Sequence, residues 1–296
     1  MQLKVGILMG GLSEEKEVSI LSGNAVADAC IKNNFSVKKI LFEGENSNLI
    51  ESASSVDIIF NALHGGAGEN GKVQSFLKAN NIKYTGSDEI SSKLCMNKEK
   101  TKQIAQIIGL KTPKWELISD FSNIPQIDFP YVVKPNEQGS TVGLSIVKNE
   151  IMLKKSIIQS FKFSKDVLAE TFIKGRELAV SIFDDAALPI IEIIPSKKIY
   201  DYECKYTLGK SNYICPANLN PITDYNIKKD SELIFKELGC TGYWRADFLL
   251  DDNETYHFLE MNTLPGMTET SLFPKSAAVA GIKFEDLISK IIKKSL

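Results

Sequence analysis

Residues 1–87 alternate strand-like and helical runs, and this alternation restricts that part of the chain to a parallel sheet with helices packed on it. The strand-like runs are LKVGILM, VKKILF, VDIIFNAL and IKYTG. Strands interrupted by helices cross over and run parallel, whereas a tight turn would bring them back antiparallel. A helix is expected after Gly10-Gly11, with Ser13 as its N-cap and Val18, Leu21, Ala25 and Ala29 along one face. Gly86-Ser87-Asp88 reads as a boundary, and residues 88–109 read as helix, stopping at Gly109 with Pro113 beyond.

The texture then changes. Strand-like runs at 131–135, 143–147, 166–172, 177–184 and 187–196, with one helix near 150–162, predict an antiparallel sheet with helices on one side. Residues 199–216 (IYDYECKYTLGKSNYICP) are polar and tyrosine-rich and fit neither the helical nor the strand period. A long irregular stretch inside a compact domain is usually functional or disordered. Residues 222–238 read as helix, followed by a hairpin, a Pro/Gly turn (NTLPGMTETS) and a closing helix. There is no internal repeat.

A chain of 296 residues has room for two or three domains. A net charge of −2 gives no sign of broad nucleic-acid or membrane-surface affinity. No run reaches transmembrane length, and the N-terminus enters a β-like run, LKVGILMGG, so no membrane partner is expected. The five cysteines are scattered without metal spacing and read as reduced thiols of a cytoplasmic protein. With only His64 and His257, a histidine-rich metal site is excluded.

The hairpin carries the first chemical signal. YWRADFLLD (243–251) alternates with Trp244, Ala246, Phe248 and Leu250 on one face and Arg245, Asp247 and Leu249 on the other. In YHFLEMN (256–262), strict alternation puts Phe258, Glu260 and Asn262 on one face. A turn centred on Asn253 and Glu254 sets Asp247 opposite Glu260. Two carboxylates and an amide oxygen then converge beside Arg245. Such hard oxygen ligands suit Mg²⁺, which usually also binds substrate phosphates. A solvated acidic strand face is the competing reading.

Three glycine-rich segments could hold phosphate. Gly10-Gly11-Leu12-Ser13 ends a strand and opens a helix, where free N–H groups face any anion. Gly66-Ala67-Gly68-Glu69-Asn70-Gly71 matches GxGxxG, but it follows a later strand rather than the first, and a tight turn explains it equally well. Gly139-Ser140-Thr141-Val142-Gly143 lies between two strands and can fold as a flap, with Lys134 at the end of the strand before it. Lys134 is either a phosphate contact or a solvated strand end. No GxxxxGK[ST] motif is present, which excludes a P-loop.

Together these pieces resemble the ATP-grasp superfamily and, within it, the D-alanine–D-alanine ligases. The segments that carry the resemblance span essentially the whole chain: GGLSEEKEVSILSG (10–23), ALHGGAGENG (62–71), YTGSD (84–88), MNKEKTK (96–102), VVKPNEQGSTVG (132–143), ETFIKGRE (170–177), YDYECKY (200–206), YWRADF (243–248) and LEMNTLPGMTETS (259–271). The resemblance implies a mixed α/β and α+β fold: an N-terminal parallel, Rossmann-like domain (1–87), a small central nucleotide-binding domain (88–180) and a C-terminal catalytic domain (181–296). It also implies an enzyme that makes an acyl phosphate from a carboxylate and ATP, then lets an amine displace the phosphate, here joining two D-alanines for peptidoglycan precursors.

The same resemblance assigns residues. Asp247, Glu260 and Asn262 would hold two Mg²⁺ (or Mn²⁺) ions against the ATP phosphates, and Lys98, Lys134 and Ser140 would contact or cover those phosphates. Glu170, Phe172 and Ile173 would meet the adenine, and Glu177 the ribose. Glu15 would pair with the ammonium of the first D-alanine, with His64 nearby; helix-dipole stabilisation is the bland alternative for Glu15. Arg245 and the backbone of Gly266 would face the oxyanion, and Lys205, Ser271 and Leu272 the carboxylate of the second D-alanine. Tyr206, in the irregular stretch, would close a hydrogen-bonded trio with Glu15 and Ser140 over the acyl phosphate, and its presence implies a dipeptide rather than a D-lactate product. A homodimer through the N-terminal region is the family's expectation.

The chain departs from the family at Ile199, where an aromatic is common, at Phe172, where tryptophan is common, and in the Gly-Ala-Gly-Glu-Asn loop, where a basic residue and aspartate are usual. The rivals are an NAD-dependent oxidoreductase built on GxGxxG, a non-catalytic nucleotide binder of the same fold, and another ATP-grasp ligase with a different acceptor. The first leaves the acidic hairpin, Lys134 and the flap without a task.

Overall fold

The N-terminal alternation closes as a parallel sheet in a computed structural model that describes residues 2–44, 46–121, 123–196, 204–205, 207, 209–268 and 271–296. Its elements are β1 (Lys4–Gly10), α1 (Lys16–Lys32), β2 (Ser36–Phe42), α2 (Asn46–Ala53), β3 (Ile58–Asn61), α3 (Gly66–Glu69) and α4 (Lys72–Ala79). The strand order is β2-β1-β3, with both pairings parallel. IKYTG adds one parallel bridge, Ile59 to Tyr84, instead of a strand, because Gly86 (φ 95°) turns the chain away. On α1 the expected face shifts. Leu21 is 61% exposed, while Val18, Ser22, Val26 and Ala29 are buried. The small residues explain the shift: a Cβ on Gly23 would stand 2.7 Å from Met9 Cβ, so the helix sits too close to β1 for a leucine.

Residues 88–109 form two helices, α5 (Glu89–Met96) and α6 (Lys98–Ile107), not one. Asn97 adopts an extended conformation between them and caps α6 by accepting from Lys100 N–H. Asp88 caps α5 in the same way. Both helices pack under the larger C-terminal sheet: Cys95, Ala105 and Leu110 share a core with Trp244, Phe248 and Phe258.

Two antiparallel sheets follow where one was expected. The smaller contains β4 (Trp115–Ile118), β5 (Tyr131–Pro135), β6 (Ser145–Val147) and β7 (Val167–Thr171) in the order β4-β7-β5-β6, backed by α7 (Glu150–Ser160). The larger contains β8 (Gly175–Phe183), β9 (Ala186–Ala187), β10 (Ile191–Pro195), β11 (Ser211–Ile214), β12 (Tyr243–Asp251) and β13 (Tyr256–Asn262). Its order is β11-β10-β8-β12-β13, with β9 on β8, and α8 (Pro221–Glu237) lies behind it. Then come α9 (Leu272–Val279) and α10 (Phe284–Lys294), and α10 returns to bury Ile288 and Ile292 in one core with Val5, Ile7 and Val26 of the N-terminal domain. Strand β8 crosses residue 180 and pairs wholly within the larger sheet, so we propose moving the limit at 180 to just before Gly175.

Candidate active site

Alternation on β12 sends Trp244, Ala246, Phe248 and Leu250 into the core and Arg245, Asp247 and Leu249 to the opposite face. Asp247 does pair with Glu260, and Arg245 with Asn262. The route to that register differs from simple alternation. The hairpin turn is the three residues Asp252–Glu254, with Glu254 at φ 58° and Asp251 N–H donating to Thr255 O. That turn alone would displace the register by one residue. A bulge at Leu259 restores it, so that Phe248 pairs with Phe258 and Asp247 with Glu260. Phe258 therefore joins the core rather than sharing the carboxylate face, correcting the strict alternation. The bulge re-aims Glu260 while leaving the aromatic pair packed.

Each carboxylate of this face has a cation against it. Arg245 grips Asp247 with two bonds, Nε to Oδ1 at 2.6 Å and Nη2 to Oδ2 at 2.8 Å. Lys98 Nζ lies 3.1 Å from Glu260 Oε2 and donates to Gln138 O at 2.5 Å. Burial works against ionisation of Glu260, but Lys98, Lys134 and Lys205 outweigh it and hold the carboxyl below its ordinary range. Asn262 Oδ1 accepts from Leu264 N–H at 2.9 Å. Among the described residues no three His, Cys, Asp or Glu side chains cluster as metal ligands. Asp247, Glu260 and the amide of Asn262 supply two charges and hard oxygens only, a donor set that fits a hydrated Mg²⁺ completed by phosphate oxygens.

The two antiparallel sheets face each other across a cavity of about 440 Å³. The smaller sheet contributes Val132, Lys134, Ile146 and Glu170, which share the face turned away from its core. The larger contributes Glu177, Ile193, Asp247 and Leu249. Phe172 and Ile173 line the strip between the sheets, and the flap from Gly139 to Gly143 closes one side through Thr141 and Val142. Ser140 and Thr141 hold left-handed φ values of 51° and 63° in this flap. Lys134 Nζ donates to Glu170 Oε1 at 2.5 Å. Glu177, on β8, pairs with Leu249 of β12 on one side and Ile193 of β10 on the other, and burial pushes its carboxyl up to about 7 against the pull of Lys205.

A second, smaller cavity adjoins the first. It is lined by Glu15, His64, Ser140, Lys205, Arg245, Gly266, Ser271 and Leu272, which brings together residues from both ends of the chain. Ser140 Oγ donates to Glu15 Oε1, fastening the flap to the start of α1. Both ring nitrogens of His64 are engaged: Nδ1 donates to Leu264 O at 3.1 Å, and Nε2 then accepts from Ser22 Oγ at 3.0 Å. His64 thus moors the 263–267 turn to the N-terminal domain. Ser271 stands at the N-cap of α9 and accepts from Thr268 N–H at 3.0 Å, leaving Leu272 N–H at the positive end of the helix. A Cβ at Gly266 would lie 2.6 Å from Ser271 Oγ, so only glycine allows this approach.

The cleft thus gathers Lys98, Lys134, Glu170, Phe172, Ile173, Glu177, Asp247, Glu260 and Lys205, and the inner cavity the remaining described site residues. Tyr206 and Ile199 lie outside the described residues. The last glycine of the GxGxxG segment, Gly71, stands at the N-cap of α4, but the segment itself is not a loop between strand and helix. It forms the single turn α3, with Gly65, Gly66 and Gly71 at positive φ and Glu69 accepting from Gly65 N–H, as the tight-turn reading requires. Ser13 caps no helix; its hydroxyl donates to His64 O at 2.6 Å. Sequence reasoning gave no role to Lys102, Thr112 or Ser22. Only the spacing of Lys98 and Lys102, one helical turn apart, signalled that both face one side.

Two sheets closed on a nucleotide-sized cleft, with Lys134 and Glu170 on one wall and Asp247 and Glu260 on the other, define a nucleotide clamp of the ATP-grasp class. The comparisons narrow this. Residues 96–293 match the family model for the D-ala D-ala ligase C-terminus, and residues 41–87 match that for the N-terminus. The chain is 39% identical over 299 residues to D-alanine–D-alanine ligase A of Clostridium perfringens, covering 99% of this chain and 98% of that protein. It is 40% identical to the D-alanine–D-alanine ligase of Geobacter sulfurreducens, covering 98% and 93%. Among solved structures, the Bacillus anthracis D-alanine–D-alanine ligase complexed with ATP superposes with a TM-score of 0.88 at 36% identity, covering 100% of this chain and 97% of that one. The VanG D-Ala:D-Ser ligase of Enterococcus faecalis gives 0.85 at 26% identity, each chain fully covered. The chain belongs to the D-alanine–D-alanine ligase family.

Proposed function

We infer that this protein ligates two D-alanines to D-alanyl-D-alanine at the expense of ATP, through a D-alanyl phosphate, for peptidoglycan precursor synthesis. The observation that carries the reading is the adjacency of the two cavities. The nucleotide cleft and the inner cavity share Lys98, Lys205 and Glu260 in their walls, so a γ-phosphate in one can reach a carboxylate in the other.

The first D-alanine lies with its ammonium on Glu15 and its carboxylate toward Arg245. Glu170, Phe172 and the Ile173 backbone hold the adenine, and Glu177 the ribose. Lys98 and Lys134 contact the phosphates under the Ser140 flap. Lys98 now pairs with Glu260, and Arg245 with Asp247. Asp247, Glu260 and Asn262 would hold Mg²⁺ or Mn²⁺, which would neutralise phosphate charge when bound. The D-alanine carboxylate attacks the γ-phosphorus and ADP leaves. The amine of the second D-alanine, held by its carboxylate on Ser271 Oγ, Leu272 N–H and Lys205, attacks the acyl carbon and expels phosphate. Arg245 and Gly266 N–H stabilise the tetrahedral oxyanion, for which one such donor contributes on the order of 100-fold or more. The flap excludes water that would hydrolyse the acyl phosphate.

No described helix is long and apolar enough to cross a membrane. We place the enzyme in the cytoplasm, acting on small molecules rather than nucleic acid or membrane. A homodimer through the N-terminal domain, where Leu21, Ile31 and Leu41 are exposed, is part of the same proposal.

Phosphate release with D-alanine, L-alanine or D-lactate, with and without Asp247→Asn, tests the reading. The expected outcome is release strictly dependent on D-alanine and lowered about 100-fold or more by the substitution. Release indifferent to D-alanine, or untouched by Asp247→Asn, contradicts it.

A further inference from the structure

Lys102 lies on α6 one turn after Lys98, yet it lines neither cavity and is 0% exposed. A lysine so deeply buried is costly unless its ammonium is fully partnered. Nζ donates to Glu170 Oε2 at 2.9 Å and to Thr112 Oγ1 at 2.6 Å, and it stands 5.3 Å from the centre of the Trp115 ring. The Thr112 hydroxyl spends its own proton on Phe258 O at 2.8 Å, so toward Lys102 it can only accept. Phe258 directly precedes the bulge that aims Glu260.

Glu170 therefore has both oxygens fixed: Oε1 by Lys134, which faces the cleft, and Oε2 by Lys102 from behind. Lys134 alone would leave one oxygen of a buried carboxylate without a partner, and such a group tends to take up a proton. Burial opposes ionisation of Glu170, and the two lysines outweigh it. An ionised Glu170 at the base edge can accept from an exocyclic amino group and repels a carbonyl oxygen. A protonated one can donate to the carbonyl.

We propose that Lys102 is a positioning residue for nucleotide selection: from behind the cleft it locks Glu170 as an acceptor-only carboxylate, favouring adenine over guanine, and through Thr112 it ties that wall to the strand that carries Glu260. This rests on the nucleotide reading of the cleft, and its loss can be told from the loss of that reading. Steady-state rates of D-alanine-dependent phosphate release are measured with ATP and with GTP for the wild type, Lys102→Met and Lys102→Arg. Lys102→Met should lower the ratio of kcat/KM for ATP over GTP by about tenfold or more, with KM for D-alanine at saturating nucleotide unchanged. Lys102→Arg, which keeps the charge, should recover part of the ratio. If Lys102→Met does not fold, Thr112→Val keeps the lysine but removes its second anchor, and should move the ratio the same way by less. An unchanged ratio in the folded variants, or equal losses in every parameter, overturns the proposal while wild-type turnover leaves the ligase reading standing. Absence of D-alanine-dependent turnover in the wild type overturns the ligase reading itself.

Discussion

Single residues in this cleft are tuned by what surrounds them more than by their type. Buried Glu170 and half-buried Glu260 are carboxylates held ionised by lysines, while Glu177 is pushed the other way, up to about 7 from an ordinary 4.5. Between those two values the folded chain holds a proton on Glu177 that the unfolded chain releases. The contribution of Glu177 to the stability of the nucleotide-free protein therefore falls as pH rises from about 4.5 to about 7. The carboxyls lowered by folding exert their effect below their ordinary range, outside this window. Thermal midpoints at pH 5 and pH 7.5 should show a larger loss for the wild type than for Glu177→Gln, and parallel losses would refute the assignment. Asp247, Glu260 and Asn262 were legible in the sequence as the polar face of a hairpin, whereas the three-residue turn and the bulge that together bring them opposite one another were not. Nor was Lys102. Its partners lie 10 and 68 positions away, and nothing local announces that a lysine on a helix will be swallowed whole.

At the scale of elements, small departures from regularity place the chemistry. The three-residue turn and the Leu259 bulge each shift the β12–β13 register by one, in opposite senses, so the expected pair formed for a reason that strict alternation does not contain. The split of residues 88–109 at Asn97 was likewise invisible to periodicity, since both halves are helical and only a cap separates them. β4 escaped notice because four residues, WELI, with none fully alternating, give too short a pattern. Gly266 approaches Ser271, the N-cap residue of α9, closely. Gly266→Ala places a methyl 2.6 Å from Ser271 Oγ and should displace that hydroxyl. KM for D-alanine at the acceptor position should rise about tenfold while KM for ATP stays unchanged. An unaltered D-alanine KM would show that this turn does not hold the acceptor.

Across the whole molecule, three layers meet at one point. The N-terminal parallel sheet delivers Glu15 and His64, the small sheet Lys134 and the flap, and the large sheet Arg245, Asp247 and Glu260. The parallel and antiparallel textures were legible, since period and punctuation differ between them. The division of the second half into two facing sheets was not, because strand pairing is a tertiary choice. Packing of α10 onto the first sheet closes the chain on itself and keeps the inner cavity, built from both ends, in register. Carboxylate activation by phosphorylation is the chemistry proposed for this cavity. The most direct measurement supplies D-alanine labelled with ¹⁸O in its carboxyl group, with ATP, and follows the label by mass spectrometry. One labelled oxygen should pass to inorganic phosphate for each dipeptide formed. Dipeptide formed without label in the phosphate would contradict the account.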